Sequence, residues 1–137
     1  MPQPSHEDSI DFGSLLAISV GNTNTAVGAF IAGDIIERIS VPNSSPDAVA
    51  SAAEKLADDH AIDIAVLATV NRKFSAALTS RLENSGDLRL LHIAEDCAIP
   101  LKHRLDDEAI LKTGQDRLLN AVAAHRIARQ ACVVVDA

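Results

Sequence analysis

The chain is poor in aromatic side chains. It contains no Trp and no Tyr, and Phe occurs only three times in 137 residues. Proteins that hold single-stranded nucleic acids usually stack the bases on aromatic rings, and this composition offers almost no rings for that purpose. The core must therefore be aliphatic, in keeping with a hydrophobic content of 47%.

Positive charge is scarce as well. The chain has 12 Lys and Arg residues against 19 Asp and Glu residues, which gives a formal net charge of −7 at pH 7. A negative protein is repelled by the phosphate backbone of DNA and RNA, so the charge balance excludes a nucleic-acid partner outside a local patch. A small-molecule ligand or a protein partner fits this balance better.

Long apolar runs and paired cysteines are also missing. No run approaches the roughly 18 apolar residues that a membrane-spanning helix needs, and the polar N-terminus lacks the apolar centre of a signal peptide. Cys97 and Cys132 are far apart and in no metal-binding or redox spacing, so we interpret both as reduced thiols, with Cys132 at a strand start. We expect a cytoplasmic protein with no membrane partner and a flexible tail over residues 1–14.

Two short apolar runs near the N-terminus predict a hairpin. Leu15 to Ile18 and Thr25 to Ile31 are separated by the polar turn Gly21 to Asn24. The small turn residues leave backbone N–H groups without side-chain cover, and successive N–H groups can form a concavity that binds phosphate. Gly-Asn turns also close many hairpins that bind nothing, so an ordinary turn is the alternative interpretation.

The next residues predict a third strand, Ile35 to Val41, and then a helix. Ser45 has the hydroxyl of an N-cap, Pro46 suits the first helical position, and Asp47 places negative charge in the first turn. One face of this helix is expected to carry Val49, Ala53, Leu56 and, at its end, His60.

Two further strands and a helix follow. Ile62 to Val70 is apolar throughout, as in a strand buried on both faces, and Leu88 to Ile93 is a second strand. Asn71 and Gly86 suit the start and the left-handed end of a helix between them, with an apolar stripe of Phe74, Ala77, Leu78 and Leu82. The order β-β-β-α-β-α-β defines an α/β class.

A second polar motif, Gly114-Gln115-Asp116-Arg117, follows a long connection and opens a helix expected to run to about residue 130. An aspartate in the first helical turn is kept ionised by the helix dipole and can accept a proton. Arg117 offers a fork of donors to carboxylate or phosphate. Ordinary helix capping is the alternative interpretation. The predicted core face of this helix consists of Leu119, Val122, Ala123 and Ile127, and a last strand, 131–135, leads to Asp136.

The two motifs, in this order, resemble those of the type III pantothenate kinases. Ile18 to Thr25 is similar to the family's first phosphate-binding loop, and Gly114 to Arg117 is similar to its Gly-x-Asp-Arg loop. The resemblance covers Leu15 to Ala137 and about half of a family member. It implies a ribonuclease H-like (actin-like ATPase) fold, with a first domain over 15–112 and the truncated start of a second, similar domain over 113–137.

The resemblance also implies an activity, which is the ATP-dependent phosphorylation of pantothenate to 4′-phosphopantothenate in coenzyme A biosynthesis. It implies magnesium, a monovalent cation (potassium or ammonium) held by Asp136, and homodimers in full-length relatives. Asp116 is the implied catalytic base within a substrate loop of Gly114, Gln115, Asp116 and Arg117. The implied ATP loop consists of Ser19, Val20, Gly21, Asn22, Thr23, Asn24, Thr25 and Ala26.

One residue departs from the family pattern. Ser19 stands where the family has an aspartate, and magnesium prefers carboxylate oxygens to a neutral hydroxyl. We therefore keep a second hypothesis, a non-catalytic relative that binds a nucleotide or a partner on the same fold. A third, another kinase or ATPase of the actin-like group, is disfavoured by Gly114 to Arg117.

Overall fold

The computed structural model describes residues 13–96, 106, 108 and 115–129, except for the side chains of residues 116 and 125. The strands in these ranges are β1 (Ser14–Val20), β2 (Asn24–Ile31), β3 (Asp34–Pro42), β4 (Ile64–Thr69) and β5 (Arg89–His92). The helices are α1 (Pro46–Asp59), α2 (Arg72–Ser85) and α3 (Gln115–Ala128). The predicted order β-β-β-α-β-α-β is confirmed. The predicted strand 131–135, Cys97, Cys132 and most of the predicted tail lie outside the described residues.

The strands form one five-stranded mixed sheet in the order β3-β2-β1-β4-β5. The first three strands pair antiparallel as a meander, whereas β1 with β4 and β4 with β5 pair in parallel. In register, Val20 lies beside both Thr25 of β2 and Thr69 of β4. The first turn and the end of β4 therefore lie at the same edge of the sheet.

Helix α1 begins and ends as its sequence predicts. The Ser45 hydroxyl oxygen accepts a hydrogen bond from the backbone N–H of Ala48 at 3.1 Å, and Pro46 and Asp47 occupy the first turn. His60 is the C-cap residue, so its predicted place at the helix end is confirmed.

Helix α2 is capped as predicted, but its buried stripe differs. Asn71 Oδ1 accepts from the N–H of Phe74 at 3.2 Å, and Gly86 ends the helix with a φ of 71°. Ser75 is buried beside Leu78 and Leu82, while Ala77, predicted to face the core, is exposed. The stripe follows the 3- and 4-residue steps of the helix through a small hydroxyl residue that apolar patterning overlooks.

One face of the sheet packs against α1 and α2 and forms the aliphatic core. The sheet contributes Leu16, Ile18, Val20, Val27, Ala29, Ala65 and Leu67, and the two helices contribute Val49, Ala50, Ala53, Leu56, Ala57, Leu78 and Leu82. Because side chains alternate between the faces of a strand, Leu15, Ala17 and Ser19 point to the opposite face.

Helix α3 contacts β4, and most of the described residues in its C-terminal half are exposed. Leu119 and Val122 are half-buried as expected for a packed face, whereas Ala123 is exposed and Ile127 is 86% exposed. The prediction that all four face the core is therefore wrong for the last two. Within the described ranges, no helix is long and apolar enough to cross a membrane.

Candidate functional site

The Gly21 to Asn24 turn joins β1 and β2 with Asn22 and Thr23 at its tip. The backbone N–H of Gly21 donates to the carbonyl oxygen of Asn24 at 2.9 Å, which closes the turn tightly. A Cβ atom at position 21 would lie only 2.8 Å from that carbonyl oxygen. Glycine is therefore required here because of a close backbone approach.

The residues of the predicted ATP loop divide into exposed and buried side chains. Ser19, Asn22, Thr23 and Asn24 are exposed, whereas Val20 and Thr25 are buried in the core face and Ala26 is half-buried. A ligand at this turn can therefore contact the four exposed side chains. Val20 and Thr25 are buried, so they can only support the conformation of the turn.

Asn43, just after β3, connects three points of this turn. Its Oδ1 accepts from the Thr25 hydroxyl at 2.7 Å, and its Nδ2 donates to the Gly21 carbonyl oxygen at 2.9 Å. Its backbone N–H donates to the Thr23 carbonyl oxygen at 2.8 Å. Sequence analysis missed Asn43, because its side-chain bonds span 18 and 22 residues and leave no local pattern.

The tip of the turn presents backbone donors. Within the part of the chain that the structure describes, no group accepts a hydrogen bond from the backbone N–H of Asn22 or Thr23. Both residues are exposed, so these N–H groups face solvent. Two successive N–H groups with small neighbours provide the donors that a phosphate oxygen needs.

The second motif begins helix α3 at the same edge of the sheet. The backbone N–H of Thr69, the last residue of β4, donates to Gln115 Oε1 at 3.0 Å, and Gln115 Nε2 donates to the Ile93 carbonyl oxygen at 3.4 Å. One residue beyond Thr69, the Val70 N–H donates to the Val20 carbonyl oxygen at 3.0 Å. The start of α3 is thus anchored beside the end of β1, where the turn begins.

Asp116 and Arg117 are the second and third residues of α3, and Arg117 is exposed. The side chain of Asp116, all of Gly114 and the predicted cation ligand Asp136 lie outside the described residues. The described backbone has position 116 in the first turn of α3, directly after Gln115, whose side chain accepts a hydrogen bond from Thr69.

A cavity of about 750 Å³ lies between the second face of the sheet and α3. It follows the chain from Gly13 along β1 to Ser19. Its mostly apolar wall includes Ala17, Phe30, Val66, Ala68 and Leu119, with Arg126 on the helix side. Ser19 is where this cavity meets the turn, so its hydroxyl lies on the face of the sheet that α3 covers.

The described residues contain no group of three or more His, Cys, Asp and Glu side chains that could hold a metal ion. Ser19, near the end of β1, offers a neutral hydroxyl oxygen.

The fold defines the class of protein first. The structure is similar to that of a Bacteroides thetaiotaomicron VPI-5482 protein with an actin-like ATPase fold and unknown function, with a TM-score of 0.52 and 13% sequence identity. The similarity covers 74% of this chain and 38% of that one. The chain therefore has the α/β, ribonuclease H-like architecture of the actin-like ATPases, as predicted.

The sequence then gives the family. The sequence model of type III pantothenate kinases matches residues 15–137, so the chain belongs to the type III pantothenate kinase family. A type III pantothenate kinase of Frankia alni (strain DSM 45986 / CECT 9034 / ACN14a) is 28% identical over 126 residues. The match covers 89% of this chain and 50% of that protein, so the chain spans about half the length of this curated relative.

Proposed function

We propose that this chain is the nucleotide-binding half of a type III pantothenate kinase, which acts in the cytoplasm and transfers the γ-phosphoryl group of ATP to pantothenate. The product would be 4′-phosphopantothenate, at the entry to coenzyme A biosynthesis. Family membership supports the reaction class. In this proposal residues 15–112 form the first domain, and 113–137 begin a second one that completes the site and the homodimer in full-length relatives.

The observation that carries the proposal is the anchoring of α3. The Thr69–Gln115 hydrogen bond and the Val70–Val20 hydrogen bond bring the start of α3 and the Gly21 to Asn24 turn to one edge of the sheet. Phosphoryl transfer needs a held phosphate chain and an oriented hydroxyl close to each other. The turn and the Gly114 to Arg117 motif are about ninety residues apart in sequence. Because their elements lie at one edge of the sheet, the two could hold the phosphate chain and the hydroxyl near each other.

The proposed roles follow from the chemistry of each group. The N–H groups of Asn22 and Thr23 would bind phosphate oxygens, and Asp116 would accept the proton of the pantothenate hydroxyl. Asp116 is the second residue of α3, directly after Gln115. Gly114, Gln115 and Arg117 would contact pantothenate, with Arg117 available to a carboxylate.

Magnesium and a monovalent cation complete the proposed site. Magnesium would enter as part of the MgATP substrate and neutralise phosphate charge, and the Ser19 hydroxyl would at most hold one of its waters. A potassium or ammonium ion would bind at Asp136, as the family resemblance implies.

Ser19 favours a second candidate function. The exposed hydroxyl at the end of β1 provides no carboxylate for a cation, although the turn and its backbone donors are intact. A protein with these features could bind a nucleotide or a partner without phosphorylating pantothenate. This candidate differs from the kinase in turnover and agrees with it in nucleotide binding.

Two measurements separate these candidates. The first is ATP binding by the purified chain, measured by calorimetry in the presence of magnesium. The second is pantothenate-dependent ADP release in a coupled assay, measured on a completed chain in which the second half of a full-length family member follows residue 137. A kinase is expected to bind MgATP and to release ADP, with a loss of at least about 100-fold in Asp116→Asn because the proton acceptor is gone.

The other outcomes are equally decisive. Binding of MgATP by the purified chain without ADP release by the completed chain or its Ser19→Asp variant would establish the non-catalytic candidate. A folded chain that binds no MgATP at all would remove both, because each depends on the turn between β1 and β2.

A further inference from the structure

We propose that Asn43 is a positioning residue for the nucleotide: its side chain fixes the direction in which the turn presents the N–H of Asn22. The inference rests on the proposed function for the identity of the ligand, a nucleotide phosphate. Its structural part, the control of one peptide group by Asn43, stands on the contacts alone.

The orientation of the Asn43 amide is determined by its partners. The Gly21 carbonyl oxygen can only accept, so the group that faces it at 2.9 Å must be the NH₂ of Asn43. The amide oxygen then faces Thr25, whose hydroxyl must donate to it at 2.7 Å. Each of the three groups has one role, and no alternative arrangement satisfies all of them.

Thr25 gives this connection a rigid base. The Thr25 side chain is 0% exposed and belongs to β2, which pairs with strands on both sides. Side chains in a packed interior occupy single rotamers. The buried Thr25 hydroxyl therefore fixes the position of the Asn43 amide. The amide in turn fixes the Gly21 carbonyl group through its hydrogen bond.

The planar peptide bond links the orientation of the Gly21 carbonyl group to that of the Asn22 N–H. The Gly21 carbonyl and the Asn22 N–H belong to one planar trans peptide group, in which they point in opposite directions. Because Asn43 holds the carbonyl oxygen on its own side, the Asn22 N–H points away from Asn43 and toward solvent. The turn's donor is thus oriented before any phosphate arrives, which lowers the entropy lost on binding.

A second peptide group of the turn is held differently and provides an internal comparison. The Thr23 carbonyl oxygen accepts from the backbone N–H of Asn43, which every residue except proline retains. A change of the Asn43 side chain should therefore release the Asn22 N–H and leave the Asn24 N–H held.

The test uses Asn43→Asp, which keeps an acceptor for Thr25 and replaces the NH₂ that faces the Gly21 carbonyl with an oxygen. Asn84→Asp makes the same chemical change on exposed Asn84 of α2, distant in sequence from the turn, and serves as the matched control. The readouts are MgATP affinity by calorimetry and the amide signals of Asn22 and Asn24 in ¹H–¹⁵N spectra without nucleotide.

The expected result has two parts. Asn43→Asp should weaken MgATP binding by about tenfold or more, the effect of one lost hydrogen bond with its carbonyl left unpaired, while Asn84→Asp should bind as the original chain does. The Asn22 amide should shift and exchange faster with solvent in Asn43→Asp, and the Asn24 amide should change much less.

Unchanged MgATP affinity in a folded Asn43→Asp chain would overturn the positioning role and leave the proposed function standing. If the original chain binds no MgATP, the proposed function fails, and the Asn22 amide alone decides whether Asn43 orients the turn. If Asn43→Asp does not fold, Thr25→Val is used in its place. This variant removes the hydroxyl that holds the Asn43 amide and keeps nearly the same side-chain shape. Weaker MgATP binding and a shifted Asn22 amide are again expected, and unchanged MgATP affinity would again overturn the positioning role.

Discussion

Thr69 donates its backbone N–H to Oε1 of Gln115 at 3.0 Å, across 46 residues of sequence. This bond ties the last residue of β4 to the first residue of α3, so the loop motif is positioned by a residue of the motif itself. Gln115 thereby has a structural role in addition to its proposed contact with pantothenate.

Replacement of Gln115 should separate these roles. In Gln115→Leu the partly buried Thr69 N–H loses its acceptor, and we expect a fall of about 1–2 kcal/mol in the free energy of unfolding. Gln115→Glu keeps an oxygen that accepts from Thr69 and should lose less than Gln115→Leu. Urea unfolding followed by circular dichroism measures both, and equal losses in the two variants would show that the Thr69 bond does not hold α3.

The parts of the fold that were predictable from sequence are those with local causes. The Ser45 and Asn71 caps, the left-handed Gly86 and the hairpin turn each depend on residues within a few positions of one another. Exposure of Ile127 and the role of Asn43 depend on which elements pack together, and no local pattern contains that information. The meeting of the β1–β2 turn and the start of α3 at one edge of the sheet likewise depends on how elements pack. Only the family resemblance suggested it.

Gly21→Ala should damage the turn through a steric clash. The new Cβ would lie 2.8 Å from the Asn24 carbonyl oxygen, which is backbone and cannot rotate away. We expect a loss of about 1–3 kcal/mol in the free energy of unfolding, together with weaker MgATP binding.

Gly33→Ala is the comparison for this variant. Gly33 has a φ of +84° in the turn between β2 and β3, and no atom lies within 4 Å of a Cβ there. Gly33→Ala should lower the free energy of unfolding by about 1 kcal/mol, because alanine disfavours a positive φ. The MgATP affinity should be unchanged. A Gly21→Ala chain with both properties intact would contradict the close approach of Gly21 and Asn24.

The hydrogen bond between Thr25 and Asn43 should appear as a coupling energy. Thr25→Val removes the hydroxyl from a fully buried position while it keeps the shape of the side chain. We expect each of Thr25→Val and Asn43→Ala to lower the free energy of unfolding by about 1 kcal/mol or more. In the double variant the losses should fall short of additivity by about 1 kcal/mol, as for residues in direct contact. Strict additivity in urea unfolding would exclude the bond.

Lys55 gives a prediction about pH. Its Nζ lies 3.1 Å from Asp59 Oδ2, and the hydrogen bond to Asp59, followed by the charge of that carboxylate, raises the pKa of Lys55 above its ordinary value of 10.5. A group whose pKa is raised by folding stabilises the folded state below its ordinary pKa, and this contribution is lost as the pH rises through the raised value.

The stability difference between the original chain and Lys55→Met should therefore be present at neutral pH and shrink above pH 10.5. The difference will be small, because the pair is exposed to solvent. Lys73→Met, at an exposed lysine of α2 with no ion pair among the described residues, is the matched control for the loss of a surface lysine side chain. A Lys55 effect that grows with alkalinity in thermal unfolding would reverse the assigned sign.

Ser19→Asp tests whether a carboxylate near the end of β1 would strengthen the binding of magnesium. Ser19 is exposed at the end of β1, on the face that α3 covers, and no metal-binding group of acidic side chains occurs among the described residues. A carboxylate there would offer magnesium the ligand it prefers, and we expect the ratio of ATP affinities with and without magnesium to rise about tenfold. Ser19→Asn has a similar shape without the charge and should leave the ratio unchanged. Calorimetry in magnesium and in EDTA measures both, and an equal rise in Ser19→Asn would mean that side-chain size, not charge, limits the site.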